Sequence, residues 1–445
     1  MSHTCQFNRQ LALAITTVLV MGSSHATSLL DVYDQAAQSD PTIRAAEATR
    51  LASREARPQA LAAFLPDISA NAGWAGTTSG SDGNLSSTSR GGSWGITATE
   101  SINLPTILRS LERTDYTLAQ ADLTYHSAEL NLITRVATRY FNVLSAKDSL
   151  KAAESSLEAL NQQLERAEKR FEVGLAANTD VQEARASRDS ANSLVILAKR
   201  TLATSQELLR EITGTSLDDL AAPSDDMPLI TPDPQSADEW VQKSMSGNID
   251  LASSRLALET ATHDLGTQKL TRFPTLTLSA NYSNSNAYSD LKAFGSNNTT
   301  NNWTGTWFSA GVSVPLFTGG ETNSKIRQNV YLQRAARERV EQVSRETERG
   351  ARDAYLGLQS AIAQVQANKQ ALESSRLALQ ATEAGFDVGT RTTIDVLNSR
   401  NNLLTAEQNY FSSRYSYITS LITLKTVSGS LTREDLQLIN SWLIQ

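Results

Sequence analysis

Apolar residues along this chain follow two periods, and the changes between them mark its elements. Residues 29–64 and 237–272 have helical spacing, and a proline ends each segment. Strict alternation follows, which predicts strands. The alternating sets are Ile68, Ala70, Ala72 and Trp74 with Trp94, Ile96 and Ala98, then Leu276, Leu278, Ala280 and Tyr282 with Phe308, Ala310, Val312 and Val314. Polar loops at 79–92 and 283–303 complete two predicted β-hairpins.

A very long helical pattern follows each hairpin. The first runs from about 106 to 171, which at ~1.5 Å per residue is ~100 Å, and the second from about 320 to 386. The first carries a seam with steps of three and four residues: Leu150, Ala153, Leu157, Leu160, Leu164, Ala167 and Phe171. A returning helix repeats this spacing from Val181 to Ile212. Each long helix is therefore predicted to pack with its returning helix as an antiparallel coiled-coil hairpin.

The turns at the tips of the two helical hairpins are copies of each other. Residues 170–181 read RFEVGLAANTDV, and residues 385–396 read GFDVGTRTTIDV. The shared residues recur at a constant offset: Phe171 and Phe386, Val173 and Val388, Gly174 and Gly389, Asp180 and Asp395, Val181 and Val396, Arg185 and Arg400. The chain is therefore predicted to be a tandem repeat of helix, β-hairpin, long helix, tip and returning helix.

The repeat predicts how the chain is divided. The predicted segments are a signal peptide (1–26), a first repeat (27–220, with hairpin 67–104 and tip 171–181), a linker (221–236), a second repeat (237–429, with hairpin 274–315 and tip 386–396) and a C-terminal segment (430–445). Arg9, a short apolar stretch and small residues before Thr27 are typical of a cleaved secretory signal. A membrane anchor would need a longer apolar stretch. The single cysteine, Cys5, lies within this signal.

Composition and motifs narrow the class of function. The formal net charge is −7, and an acidic chain without a basic stripe is a poor candidate for nucleic-acid binding. The sequence contains no phosphate-binding glycine loop, no His/Cys cluster and no nucleophile elbow, so we expect neither an enzyme nor a metal or cofactor site. A periplasmic coiled-coil scaffold is the alternative. That alternative leaves unexplained the aromatic residues that we expect to form a membrane-interface girdle: Trp74, Trp94, Tyr282, Trp303 and Trp307.

Four strands per chain are too few to close a barrel, and an open sheet would expose its edges to lipid. Three chains would pool twelve strands and twelve helices. The fold expected from the residues alone is therefore mixed α and β, with strands that several copies combine into one barrel and helices able to close into a cylinder.

The tip motifs resemble those of the TolC family of outer-membrane channel-tunnels, and the resemblance covers essentially the whole chain after the signal. It implies a homotrimer: a 12-stranded barrel in the outer membrane of a Gram-negative bacterium, a long periplasmic α-helical barrel, and an equatorial domain formed by residues 215–240 and 430–444. It also implies an exit duct for drugs, small molecules or secreted proteins. An inner-membrane pump of the RND or ABC type would deliver these through a periplasmic adaptor. The sequence leaves open a channel dedicated to type I protein secretion.

The same resemblance gives roles to residues of the tips. Arg391 is expected to bond to Thr179 and Asp180 of an adjoining or neighbouring hairpin and so to latch the channel. Asp395 is expected to form an acidic ring in the lumen. The adaptor is expected to dock on Gly174, Leu175, Gly389 and Thr390.

Two residues depart from the family pattern. Phe386 replaces a common tyrosine and cannot donate a hydrogen bond to Asp180, and Asn398 replaces a frequent second lumenal aspartate. We therefore expect one polar link fewer and one acidic ring. The alternative is that Asp180 and Asp395 only stabilise helix starts, where the helix dipole favours acidic residues, and that Gly174 and Gly389 only turn the chain.

Overall fold

The computed structural model describes residues 26–81, 85–217, 219–224, 227–292 and 297–444, and within them it is mostly helical. The first unit contains α1 (Leu29–Ser39), α2 (Pro41–Arg54), α3 (Ala56–Ala62), β1 (Asp67–Ser81), β2 (Leu85–Ile102), α4 (Leu104–Glu172) and α5 (Asn178–Thr213). Strand β3 (Ala222–Pro223) follows. The second unit contains α6 (Ala237–Gly247), α7 (Ile249–Leu270), β4 (Thr275–Lys292), β5 (Asn297–Ser313), α8 (Glu321–Asp387) and α9 (Thr393–Val427). The final elements are α10 (Arg433–Asn440) and β6 (Leu443–Ile444). The predicted signal lies outside the described residues, except for Ala26.

Local sequence explains where the helices begin and end. Asp40 caps α2 by accepting a hydrogen bond from the Thr42 backbone N–H (3.0 Å), and Pro41 fits the first turn. Gly214 ends α5 in the left-handed conformation, with φ of +76°. Helix α4 contains no proline after Pro105 and is 69 residues long in all, or ~100 Å. No helix of the described ranges has a stretch long and apolar enough to cross a membrane.

The four long strands form one antiparallel sheet in the order β1-β2-β4-β5, so β2 and β4 join the hairpins of the two units. The strands extend further than the sequence predicted. Most of 79–92 and 283–303, expected to be loops, continues the ladder, with pairs such as Thr77 with Ser89 and Asn284 with Thr304. That expectation was wrong because Gly, Ser and Asn are poor strand formers alone, whereas ladder hydrogen bonds to neighbouring strands hold them extended.

The register gives the sheet one apolar and one polar face, since directly opposed residues share a face. Trp94, Ile96 and Ala98 of β2 lie opposite Asn284, Tyr282 and Ala280 of β4, and the Trp94 and Tyr282 rings are 5.4 Å apart. The other face carries mostly small and polar residues, with Thr97 opposite Asn281 as one example.

Two of the five expected girdle residues lie on the wrong face. Trp307 is opposite Asn281 and Trp303 is opposite Ser285, so both indoles belong to the polar face. Trp74, Trp94 and Tyr282 lie on the apolar face. Successive side chains of a strand lie on opposite faces of the sheet. Phe308 and Ala310 lie on the apolar face of β5, so Trp303 and Trp307, at odd-numbered positions, lie on the other face.

The largest buried cluster lies halfway along the long helices, where residues 219–224, 227–230 and 431–444 cross α4 and α9. These segments are called the belt below. The Tyr140 hydroxyl donates to the carbonyl of Ala221 at 2.7 Å, and the Arg414 guanidinium donates to the carbonyl of Pro223 at 3.0 Å. Strand β3 of this belt pairs with β6 at the C-terminus. The belt therefore brings together residues of 215–240 and 430–444, the two segments expected to form an equatorial domain.

Two helix ends meet backbone to backbone beside this belt. Gly429, with φ of +67°, follows α9 and touches Gly247 at the end of α6. A Cβ on Gly429 would lie 2.0 Å from the Gly247 carbonyl oxygen, too close for any side chain. At the equivalent position of the first unit, a Cβ on Gly214 would meet only the Ser39 Cβ, at an ordinary 3.7 Å. The same helix ending is therefore sterically closed in one repeat and open in the other.

We expect Gly429→Ala to destabilise the protein more than Gly214→Ala. Both changes force alanine into a left-handed conformation, at about 1 kcal/mol, but only Gly429→Ala also displaces a backbone contact, for about 1–3 kcal/mol more. Thermal unfolding followed by far-UV circular dichroism measures the difference, with Gly214→Ala as the matched control. Equal shifts in melting temperature would contradict the close approach.

Candidate functional site at the helical tips

Both tips turn through the same backbone arrangement. In the first, Gly174 has φ of +76°, and the Leu175 N–H donates to the Arg170 carbonyl at 2.7 Å. In the second, Gly389 has φ of +83°, and the Thr390 N–H donates to the Gly385 carbonyl at 2.8 Å. Glycine at this position avoids the strain of a left-handed residue with a side chain, and the hydrogen bond across five residues closes the helix end. The repeated glycine of the tips is thus explained by the turn itself.

The returning helices start differently. At the second tip, the Asp395 carboxylate accepts hydrogen bonds from the N–H and the hydroxyl of Thr392, both at 2.9 Å, and the Thr392 hydroxyl accepts one from the Asp395 N–H. These hydrogen bonds, with the charge of Arg391, hold the pKa of Asp395 below its ordinary value. At the first tip, Ala177 occupies the cap position and no side chain caps α5. The Asp180 side chain has neither a hydrogen bond nor an ion pair within the described residues, and only its backbone N–H donates, to the Ala177 carbonyl at 3.1 Å, whereas the Asp395 carboxylate is engaged in a cap.

An ion pair joins the two helices of each hairpin next to its tip. Arg185 of α5 contacts Glu168 of α4 at 3.0 Å, and Arg400 of α9 contacts Glu383 of α8. The two pairs occupy equivalent positions of the repeat. The Arg400 side chain is only 17 % exposed, compared with 49 % for Arg185. Sequence reasoning noticed the recurring arginines but missed their partners, although the glutamates recur at the same offset.

The two tips of one chain meet around a small cavity of about 40 Å³ that Asp180 and Phe386 both line. The Arg170 guanidinium lies over the Phe386 ring, 5.0 Å from its centre, in a cation–π contact. The structure thus places Phe386 and Asp180 around the same cavity. The polar group that contacts the Phe386 ring is the guanidinium of Arg170. Sequence reasoning missed Arg170, since its type and position alone did not indicate an aromatic partner on another helix.

Arg391 lies apart from that cavity. Its side chain packs over Gly385, where an added Cβ would meet the Arg391 Cγ at 2.8 Å. No carboxylate in the described part of the chain lies within ion-pair distance of its guanidinium, and Thr179 is exposed without a side-chain hydrogen bond. Asn398 is exposed as well. Within one chain, therefore, Arg391, Thr179 and Asp180 are not bonded to one another.

The residues expected to dock an adaptor form an exposed end surface. Leu175 is 70 % exposed, and Gly174, Gly389 and Thr390 are exposed beside it. Val173 and Val388 add apolar surface at the same end. Exposed apolar residues grouped at the end of a helical hairpin are typical of a contact surface for another protein.

Comparison with known proteins decides the family. The family model described as outer membrane efflux protein matches residues 32–215 and 240–430. The chain is 33 % identical over 420 residues to outer membrane protein TolC of Vibrio cholerae serotype O1, covering 94 % of each chain. The chain belongs to the outer membrane efflux protein family. Its location is therefore the outer membrane, as the tip motifs predicted.

A further relative and two solved structures are similar to the chain over most of their length. The alkaline protease secretion protein AprF of Pseudomonas aeruginosa is 28 % identical over 95 % of this chain and 88 % of its own. Among solved structures, CusC has a TM-score of 0.74 at 20 % identity, covering 91 % of this chain and 92 % of its own. The Campylobacter jejuni CmeC outer membrane channel has a TM-score of 0.73 at 16 % identity, with 100 % and 98 % covered. These likenesses show the fold.

We expect Arg400→Met to loosen the second tip more than Arg185→Met loosens the first. Removing one partner of a partly buried pair leaves Glu383 uncompensated and is expected to cost about 1–3 kcal/mol, whereas an exposed pair is worth about 0.2–1 kcal/mol. Hydrogen–deuterium exchange of the tip peptides measures both. Equal acceleration at the two tips would show that the difference in burial has no energetic effect.

Proposed function

We propose that this protein is the outer-membrane exit duct of a tripartite export system. The observation that supports this most directly is a sheet with one apolar and one polar face that continues into helices of ~100 Å. Such a chain offers one face to lipid and the other to water, and its helices are long enough to bridge much of the periplasm. The relatives named above are outer-membrane and secretion proteins, which supports a transport role over catalysis.

The duct is proposed to be a homotrimer with a 12-stranded barrel. In one chain, β1 and β5 each have an unpaired edge, and unpaired backbone groups are costly in lipid. Pairing β5 of one copy with β1 of the next removes all edges when three copies close. The polar faces then line the lumen, and the four long helices of each copy continue it into the periplasm.

The cargo is proposed to include small molecules, secreted proteins, or both. Relatives point in each direction: AprF is a protease secretion protein, and the Pseudomonas putida protein TtgF, 26 % identical over 72 % of this chain, belongs to a toluene efflux pump. In this proposal an inner-membrane pump of the RND or ABC type selects the cargo, and an adaptor docks on the exposed tips. Affinity capture of the pump from cells would distinguish drug efflux from dedicated type I secretion.

The latch is proposed to form between copies. Asp180 has an unpartnered carboxylate, and Arg391 has an unpaired guanidinium at the same end of the described chain. An arginine–carboxylate pair fixes orientation through its planar fork, yet stays weak when exposed, so it suits a contact that must open. Arg391 would bond to Thr179 and Asp180 of the neighbouring copy, while Arg170 on Phe386 holds the two tips of one copy together.

Arg391→Ala is expected to raise single-channel conductance in planar bilayers, where we expect the wild-type protein to form narrow channels. Three links of about 0.2–1 kcal/mol each hold the closed state, so their loss shifts the equilibrium toward open. Arg376→Ala, which removes an arginine of α8 away from the tip, is the control and should leave conductance unchanged. Channels of unchanged conductance in Arg391→Ala would contradict the latch, and a wild-type protein that forms no channels would contradict the duct.

Asp395→Asn is expected to abolish block of these channels by trivalent cations. In the trimer three Asp395 carboxylates would ring the lumen, and a lowered pKa keeps them ionised at neutral pH. Block should therefore persist as the pH falls and disappear only below the ordinary pKa range of an aspartate. Thr392→Ala breaks the same cap but keeps the charge, and it should retain block. Block that survives in Asp395→Asn would rule out the ring.

A further inference from the structure

One carboxylate interrupts the apolar face of the sheet. Glu100 of β2 lies opposite Leu278 of β4, which in turn lies opposite Ala310 of β5. On this face the neighbours of Glu100 along β2 are Ala98 and Ile102. Glu100 is the one charged residue of this face among the described pairs from 68 to 74, 92 to 102, 276 to 286 and 302 to 312.

Part of this carboxylate is buried without a partner. Glu100 Oε2 is inaccessible and has no hydrogen bond, and no cation of the described residues forms an ion pair with Glu100. It borders an apolar cavity of about 700 Å³ whose walls include Phe64, Pro66, Leu278 and Phe308. Leaving such an oxygen unsatisfied costs about 1–3 kcal/mol, more for a charged group. The described residues therefore supply no donor to this carboxylate.

The position of Glu100 along β2 indicates which surroundings would supply a donor to its carboxylate. Glu100 lies three residues before Asn103, which caps α4, so it marks the helical end of the sheet. At the other end of the same face, the Arg90 guanidinium lies over the Tyr288 ring. The ten-residue separation of Arg90 and Glu100 is about 33 Å along the strand and about 23 Å in height at a tilt of about 45°, close to the apolar band of an outer-membrane barrel.

We propose that Glu100 binds the ammonium group of a phospholipid from the periplasmic leaflet, with an acyl chain lying in the cavity beside Phe308. An ammonium group supplies up to three donors and a positive charge, and the low dielectric at this level strengthens the contact. Exposed apolar residues surround the same level, with Leu65 68 % and Phe317 87 % exposed. The lipid class is thus one with a primary amine head group, such as phosphatidylethanolamine. This inference rests on the proposed barrel, in which the apolar face meets lipid.

Native mass spectrometry of the purified protein, mixed with equal amounts of phosphatidylethanolamine and phosphatidylglycerol, tests the proposal. The wild-type protein should retain the amine lipid about tenfold over the glycerol lipid, as expected for one charge-assisted contact of about 1.4 kcal/mol. Glu100→Gln should lose this preference, and Glu100→Lys should reverse it. Asp67→Asn, which removes a carboxylate at the same level of the polar face, opposite Thr99, should keep it.

Three results would overturn the proposal: no preference in the wild-type protein, a preference that survives Glu100→Gln, or no retained lipid because a second copy covers the cavity. Bilayer conductance of the same preparations separates this failure from failure of the duct. Channels without a lipid preference would contradict the Glu100 site alone, whereas absence of channels would contradict the proposed function.

Discussion

The unpaired edges of the four-stranded sheet set the condition that the rest of the molecule must meet. Strands β1 and β5 end the sheet, and each leaves a row of backbone donors and acceptors without partners. In water such an edge is tolerable, but in hydrocarbon each unpaired group costs several kcal/mol. The same sheet carries an apolar face suited to lipid. Both properties are compatible only when other strands pair with the edges, which is the reason for proposing a closed assembly of several copies.

The long helices show the same incompleteness in a single chain. Helices α5 and α8 expose large apolar residues far from the sheet, among them Ile196 at 63 % and Leu377 at 65 %. At the tips, Asp180 and Arg391 have complementary charges but no partners within the described chain. In the proposed trimer, neighbouring copies cover the helix surfaces and supply these partners. The repeat has therefore kept its shared turns and interhelical ion pairs while its two tips have taken on different contacts.

Much of this fold could be predicted from the sequence because its signals are local. Prolines and glycines mark the helix ends, and period-2 alternation marks the strands, so the order of elements matches the structure. Phe171 was expected to be the last residue of the coiled-coil seam of α4, but its side chain is 46 % exposed. The sheet face of Trp303 and the length of the strand near Gly91 were predicted wrongly, because both depend on pairing with other strands. Arg170 on Phe386 joins different helices, and the proposed latch would join different copies, so neither has a local signature.

The central strand pairing has a consequence for how the chain folds. Each hairpin pairs neighbouring segments, but β2 pairs with β4 across about 190 positions, as Trp94 does with Asn284. Contacts between residues so far apart form slowly, because the intervening chain must first lose its freedom. The apolar face is completed only after both β-hairpins have been made, which requires the chain as far as Ser313. The surface most prone to aggregation is thus whole only when two hairpins distant in sequence have paired, which favours a chain that reaches its membrane before they pair.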